Sequence, residues 1–178
     1  ESYLGHPWCK QWFHVHHLNT AQGKMSKSKG EFLTVSLLEE KGYDPLAYRF
    51  FCLQSHYRKA LVFTWENLDN AATAYQKLIK RIAALQENDG PVDEAVAKEY
   101  REKFLQQLGN DLNTAQGVTL LYDVLKAKTN DATKRAILAS FDQVLSLSLL
   151  EKAAELREKE AAQTAATAGG YTVTGEGD

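Results

Sequence analysis

The sequence has few of the features that mark secreted, membrane-spanning or broadly basic proteins. Its 178 residues include two cysteines, Cys9 and Cys52, which cannot form a disulfide framework and favour a reducing, cytoplasmic location. No apolar run approaches the roughly 18 residues that a membrane-spanning helix needs. The net charge of -2 excludes a uniformly basic surface, so any contact with a nucleic acid must come from a local patch.

The first residues also lack an initiating methionine, and Glu1-Ser2-Tyr3 is not the start of a signal peptide. We therefore expect the chain to be a piece of a longer protein. A hydrophobic content of 44% and a charged content of 25% are typical of a soluble globular protein. The length of 178 residues allows one large domain or two small ones.

One basic segment, Gly23-Lys24-Met25-Ser26-Lys27-Ser28-Lys29-Gly30, differs from the rest of the chain. Residues 10–29 hold four lysines and no acidic residue. A glycine at each end of the segment lets the backbone bend, and lysines beside serine hydroxyls suit a polyphosphate. The alternative interpretation of the composition is an ordinary solvated basic loop.

The order of these residues carries a family resemblance. Lys24-Met25-Ser26-Lys27-Ser28 matches the signature loop of class I aminoacyl-tRNA synthetases, and the flanks resemble the cysteinyl-tRNA synthetase family from residue 1 to about 150. The flanking segments that carry the resemblance are Trp12-Phe13-His14, Leu18-Asn19, Phe32-Leu33-Thr34-Val35, Tyr43-Asp44-Pro45, Arg49-Phe50-Phe51, Ser55-His56-Tyr57-Arg58 and Asp111-Leu112-Asn113-Thr114-Ala115. The chain departs from the family at Val15-His16, where Asn-Gly is usual, and at Lys29-Gly30-Glu31, where Leu-Gly-Asn is usual.

The resemblance implies a ligase that activates cysteine with ATP and Mg²⁺ and transfers it from cysteinyl-adenylate to the 3′ end of tRNA(Cys). Lys27 is then the catalytic lysine that binds ATP most directly, and Lys24 is a second catalytic lysine that assists it. Met25 packs the loop down, while the hydroxyls of Ser26 and Ser28 hydrogen-bond to the ribose or the phosphates of ATP.

The resemblance also implies that parts of the enzyme lie outside this chain. The family's other signature, His-Ile-Gly-His, is absent from the sequence, so we expect a missing N-terminal nucleotide-binding half and no activity of the chain alone. The family holds a Zn²⁺ ion, and its ligands align before Glu1. Within the chain, Cys9, His14, His16 and His17 suggest zinc, but His17 points to the opposite face of a strand from the other two histidines. We expect strand histidines and no metal site.

Basic residues further along the chain are candidate contacts with tRNA. His56 and Arg58 follow a predicted helix, and they would contact the acceptor arm, the lysine loop, or only the helix dipole. Lys77, Lys80 and Arg81 would form a phosphate-binding face on a long helix, or else a solvated one. Asp111, Asn113 and Thr114 have the residue types of a turn with its own helix cap.

The predicted fold class is mainly α, and the first 63 residues form its mixed part. Residues 1–33 would be the end of a Rossmann-type catalytic domain, with a strand over Trp12–Leu18 and a turn over Asn19–Gly23. Residues 34–63 would be a stem-contact segment. In it Thr34 caps a helix that Gly42 ends, Asp44 and Pro45 start a second helix, and residues 59–63 form a short strand.

Residues 64–163 predict an antiparallel bundle of four or five helices of the tRNA-binding type. Thr64 caps the first helix, whose apolar stripe runs from Leu68 to Leu85. Further helices are expected over 92–108, from Asn113 or Thr114 to about 128, from a cap at Asp131, and over 148–163. Residues 164–178 would be a flexible linker or tail.

Two other functions remain open from the sequence. A related ligase joins activated cysteine to an amino sugar in thiol biosynthesis and needs no tRNA. A non-enzymatic helical module that binds RNA or acts as a scaffold would fold alone and have no affinity for ATP.

Overall fold

The structure, a computed structural model, describes residues 3–20, 23–24 and 33–168, with the backbone alone for residues 23–24 and 166–168. This part of the chain is mainly helical, as predicted, and carries a small sheet. None of its helices is both long and apolar enough to cross a membrane. The described elements are β1 (Leu18–Thr20), β2 (Gly23–Lys24), α1 (Val35–Glu40), α2 (Pro45–Leu53), β3 (Leu61–Phe63), α3 (Trp65–Ala83), α4 (Glu94–Gly109), α5 (Thr114–Lys126), α6 (Asp131–Leu145) and α7 (Leu149–Ala168).

The sheet has the strand order β2-β1-β3. β1 runs antiparallel to β2, with Asn19 opposite Lys24, and parallel to β3, with Leu18 opposite Leu61. β3 confirms the strand predicted within residues 59–63. The β1–β3 pairing connects the segment before the lysine loop to the chain that follows α2.

The predicted strand over Trp12–Leu18 is wrong. Residues 11–17 have no regular structure, and β1 begins only at Leu18, so two residues of the predicted turn, Asn19 and Thr20, lie in the strand. A strand needs a neighbouring ladder of backbone groups, and β3 offers one only to residues 18–20. Aromatic and β-branched residues at 12–15 favour a pleated surface, but in the described part of the chain no strand pairs with these residues.

Helix starts follow the predicted caps with one exception. The side chains of Thr34, Asp44, Thr64 and Asn113 each accept a hydrogen bond from a backbone N–H in the first turn of the next helix. The prediction of Asp131 as the cap of α6 is wrong, because Asn130 has the extended backbone and accepts from Thr133 N at 3.1 Å. Asp131 is the first helical residue, and α7 ends at Ala168, five residues beyond the predicted Gln163.

The apolar stripe of α3 lies at the centre of the core. Leu68, Leu78 and Ile82 are fully buried, and α3 packs mainly against α2 and α7. α4, α5 and α6 pack on one another, with the rings of Phe104 and Phe141 stacked at 4.1 Å between centroids. Contacts of α5 with α2 and α3 join the two groups of helices.

The turn between α6 and α7 is tied to the mixed part of the chain. Arg49 Nε donates to Leu145 O at 2.6 Å, and the hydroxyl of Tyr75 donates to Leu147 O at 2.6 Å. The carboxylate of Asp142 accepts from Leu147 N at 2.6 Å and from Leu149 N at 2.7 Å. The hydrogen bond of Arg49 therefore ties α2 to the end of α6.

Candidate functional site

Two segments that lie far apart in the sequence meet at one place in the structure. Residues 55–58 follow α2, and residues 111–113 form the turn between α4 and α5. The carboxylate of Asp111 accepts from the hydroxyl of Tyr57 at 2.5 Å and from Arg58 Nε at 2.6 Å, and Arg58 Nη2 lies at 3.3 Å. His56 Nε2 is 3.7 Å from the same carboxylate. We call these four residues the Asp111 cluster.

The backbone at the turn explains how Asp111 reaches its partners. Asp111 and Leu112 have φ angles of 57° and 53°, in the left-handed region that is costly for residues with a side chain. The turn is held by Leu112 N donating to Leu108 O at 2.9 Å and by Asn113 N donating to Gln107 O at 3.3 Å. The predicted capping role of this turn is confirmed at Asn113, and the contacts of Asp111 with residues 56–58 were not predicted.

Tyr57 is the centre of the aromatic contacts in the cluster. Its ring lies 4.6 Å from that of Phe13 and 4.8 Å from that of His56, and the guanidinium of Arg58 lies over it at 5.2 Å. His16 N donates to Tyr57 O at 2.9 Å. These contacts bring residues 13–16, which precede β1, against residues 56–58.

The charges of the cluster depend on one another. The hydrogen bond from Arg58 lowers the pKa of the Asp111 carboxyl below its ordinary value, and the hydrogen bond from Tyr57 lowers it further. The same two hydrogen bonds raise the pKa of the Arg58 guanidinium and of the Tyr57 hydroxyl. At neutral pH, Asp111 is therefore a carboxylate that faces a permanently charged guanidinium.

This pairing predicts a pH-dependent stability difference between the protein and Asp111→Asn. Because the folded-state pKa of Asp111 is lowered, its ionised form adds stability above the unfolded-state pKa, and that stability is lost as the pH falls through the folded-state pKa. We expect the difference in melting temperature to be largest near neutral pH and to shrink in acid. Thermal unfolding of both proteins over a pH series measures it. A difference that stays constant with pH would contradict the pairing.

Two hollows border the Asp111 cluster. A cavity of about 330 Å³ has mainly apolar walls that include Leu18, Tyr48, Cys52 and Leu61. Cys52 is a free thiol there, and burial raises both its pKa and that of Tyr48, the latter to about 12. The second hollow is a shallow pocket of about 380 Å³, and its walls are His14, Val15, His16, His17 and Arg58.

The lysine loop begins at one edge of the small sheet. The backbone of Lys24 ends β2 opposite Asn19 of the central strand. Met25, Ser26, Lys27 and Ser28 lie outside the described residues, so their predicted contacts with ATP remain predictions. The position of β1 between β2 and β3 puts the start of the loop two strands from the segment that follows Arg58.

The predicted basic face on α3 has a mixed environment. Lys77, Lys80 and Arg81 are all exposed. Lys80 lines a groove of about 390 Å³ between α3 and α7, and its other charged walls are Asp44, Lys152, Glu155, Lys159 and Glu160. Burial raises the pKa of Tyr122 on α5, and the positive charge of Arg81 opposes this rise. These three residues are not brought to the Asp111 cluster by any contact that the structure describes.

The histidines near the N-terminus lie on no strand. His14, His16 and His17 are exposed, so the prediction of strand histidines is wrong for the reason given for residues 12–17. The ring of His14 stacks on Trp12 at 6.3 Å, and Cys9 Sγ donates to Gln11 O at 3.1 Å. Among the described residues, no group of three or more histidine, cysteine and acidic side chains could hold a metal ion.

Comparisons with known proteins agree with the resemblance. Residues 1–73 match the family model for the class I (C) tRNA synthetase catalytic domain. The chain is 36% identical over 165 residues to the cysteine--tRNA ligase of Borreliella burgdorferi, covering 85% of this chain and 34% of that protein. It is 43% identical over 144 residues to the enzyme of Novosphingobium aromaticivorans, covering 79% of this chain and 29% of that protein. The chain thus spans about a third of the length of these relatives.

Proposed function

We propose that this chain, which is related to the cysteine--tRNA ligases over about a third of their length, supplies the signature loop and the tRNA-facing helices of such a ligase. The reaction would join cysteine to ATP as cysteinyl-adenylate and then pass it to the 3′ end of tRNA(Cys). The observation that carries the proposal is the extent of the similarity. An alignment that covers 85% of this chain spans most of its helices and a large part of residues 1–73, which match the catalytic-domain model.

The lysine loop would act on the triphosphate of ATP. When the cysteine carboxylate attacks the α-phosphate, negative charge builds up on the phosphate oxygens and on the leaving pyrophosphate. Lys27 would stabilise that charge in the transition state, and Lys24 would assist it. The hydroxyls of Ser26 and Ser28 would orient the nucleotide, Met25 would pack the loop, and Mg²⁺ would enter with ATP. A loop of this kind must open before pyrophosphate can leave.

The remaining segments would present the tRNA. Residues 1–33 would complete the catalytic domain, residues 34–63 would contact the stem, and residues 64–163 would form an antiparallel bundle along the tRNA, followed by a linker over 164–178. His56 and Arg58 would contact the acceptor arm. On α3, phosphates would be contacted by Lys77, Lys80 and Arg81. The acidic residues that line the same groove as Lys80 would weaken the attraction of Lys80 for a phosphate.

The nucleotide-binding half of the ligase would cover the exposed apolar residues before β1. Trp8, Trp12 and Phe13 are 59%, 64% and 54% exposed, and adjacent large apolar side chains at a surface mark an interaction site. The Zn²⁺ ion that recognises the cysteine thiol would be held by residues outside this chain. The location would be the cytoplasm, where the free thiols of Cys9 and Cys52 are stable.

A graft tests the proposal. The chain replaces the aligned third of the Novosphingobium aromaticivorans ligase, and the hybrid is assayed for charging of tRNA(Cys) with cysteine. We expect the hybrid to be active and the 178-residue chain alone to be inactive. A folded hybrid that forms no cysteinyl-adenylate would contradict the proposal. A hybrid that forms the adenylate but charges no tRNA would favour the amino sugar ligase, which the comparisons do not otherwise support.

A further inference from the structure

We infer that the pocket lined by His14, His16, His17 and Arg58 binds a phosphate group, and that Asp111 is the positioning residue that holds Arg58 at its edge. The inference rests on the proposed function for its ligand, since the phosphate would belong to RNA or to the polyphosphate of a nucleotide. The site lies outside the lysine loop, and it uses residues that the structure describes.

The side chains around this pocket suit an anion. Its walls are three imidazoles, one guanidinium and the apolar Val15, with no carboxylate among them. Imidazole and guanidinium N–H groups are hydrogen-bond donors, and arginine binds phosphate through paired donors. Asp111 occupies Nε and one position on Nη2 of Arg58, and no hydrogen bond of Nη1 is seen within the described part of the chain, so this group can donate to a ligand.

The wider charge distribution also favours an anion here. The sequence has no acidic residue between Glu1 and Glu31, and that interval contains Lys10, Lys24, Lys27 and Lys29. Among the described side chains, Arg58 is 65% exposed and the three histidines beside it are exposed as well, so the pocket presents its N–H donors to solvent. A local patch of one sign attracts a polyanion even when the whole protein carries a net charge of -2.

The position of the pocket is fixed from two sides. Asp111, in its left-handed turn, holds the guanidinium of Arg58, which lies over the ring of Tyr57 at 5.2 Å from its centroid. The hydrogen bond from His16 N to Tyr57 O holds the histidine segment against this pair. His16 stands where the family usually has the Gly of Asn-Gly, so the imidazole that it adds to the pocket is a feature of the present sequence.

RNA binding to the full chain tests the pocket. The probe is a fluorescein-labelled short single-stranded RNA, its affinity is measured by anisotropy over a salt series, and unlabelled ATP and inorganic pyrophosphate serve as competitors. We expect Arg58→Ala to weaken binding about tenfold at low salt and to reduce the slope of log K against log salt by about one. The matched control is Arg101→Ala, which removes a partly exposed, ion-paired arginine from α4 and should leave the affinity unchanged.

The Asp111 variants separate positioning from charge. Removal of an acidic residue should strengthen RNA binding if charge alone matters. We expect the opposite for Asp111→Ala, which frees Arg58, whereas Asp111→Asn keeps an oxygen that accepts from Arg58 Nε and should bind RNA nearly as well as the unaltered chain. The double variant Arg58→Ala with Asp111→Ala should bind no more weakly than Arg58→Ala alone. Circular dichroism confirms that each variant is folded.

Several results would overturn the inference. They are no measurable RNA binding by the unaltered chain, equal losses for Arg58→Ala and Arg101→Ala, or tighter binding by Asp111→Ala. Competition by ATP at concentrations well below those of pyrophosphate would assign the pocket to a nucleotide, and no competition by ATP would assign it to RNA. If the Arg58 and Asp111 variants show no loss of RNA affinity while the hybrid ligase still charges tRNA, this inference alone is wrong. If these variants lose affinity as expected but the hybrid is inactive, the proposed function is wrong.

Discussion

Lys27→Ala in the hybrid ligase is expected to lower ATP–pyrophosphate exchange by about 10²- to 10³-fold, the range seen when one group that stabilises transition-state charge is removed. The ammonium group would contact oxygens whose negative charge grows as the α-phosphate is attacked, so the loss should fall mainly on the rate of adenylate formation. The melting temperature should change little, because Lys27 lies in a segment with a single apolar side chain among three lysines, which has little to bury.

A charge-matched control for this prediction is Lys29→Ala in the same segment. Lys29 stands outside the five signature residues, at a position where the family usually has leucine. Its loss should change the exchange rate less than about threefold, because substitutions of surface residues without special contacts have small effects. An exchange rate that falls equally in both variants would mean that only the total charge of the loop matters. An unchanged rate in Lys27→Ala would remove this residue from the mechanism.

Phe141→Ala is expected to lower the free energy of unfolding by about 3–5 kcal/mol, the usual cost of truncating a buried phenylalanine. Phe141 is fully buried, and its ring stacks on that of Phe104 at 4.1 Å with an angle of 12° between the planes. Gly117 of α5 lies so close to Phe104 that a Cβ there would be 3.1 Å from the ring. With backbone this near, the helices cannot easily close around the cavity that the substitution leaves.

Urea unfolding followed by circular dichroism measures this effect. The matched control is Val144→Ala on the same helix, since Val144 is 51% exposed and should cost about 0.5 kcal/mol or less. If the Phe141 variant lost no more stability than the Val144 variant, the contact between α4 and α6 would not be part of a common core.

Much of the helical part was predictable because its signals are local. A hydroxyl or carboxylate side chain at Thr34, Asp44 and Thr64 can reach the backbone N–H groups two or three residues later, and the structure has those hydrogen bonds. The period of apolar residues in α3 likewise predicts which side faces the core, and Leu68, Leu78 and Ile82 are buried there. Neither signal requires knowledge of the neighbouring elements.

Other features depended on residues too distant to be paired by inspection. The N-terminus of α6 is one: besides the local cap at Asn130, the carboxylate of Asp89 accepts from the backbone N–H groups of Asp131 and Ala132 at 2.5 and 2.8 Å. The strand before the lysine loop is another, because its length is set by three residues of β3 and not by the aromatic residues at 12–15.

The sequence alone determined the helices, most of their starts, the mainly α class and the resemblance to cysteine--tRNA ligases, because each depends on short-range order along the chain. Only the tertiary structure decided that Asp111 contacts Tyr57 and Arg58, and that three histidines share a pocket with that arginine. Such contacts form when packing brings together segments that are 53 or 54 residues apart. No local pattern of charge or hydrophobicity encodes which distant carboxylate a given arginine will meet.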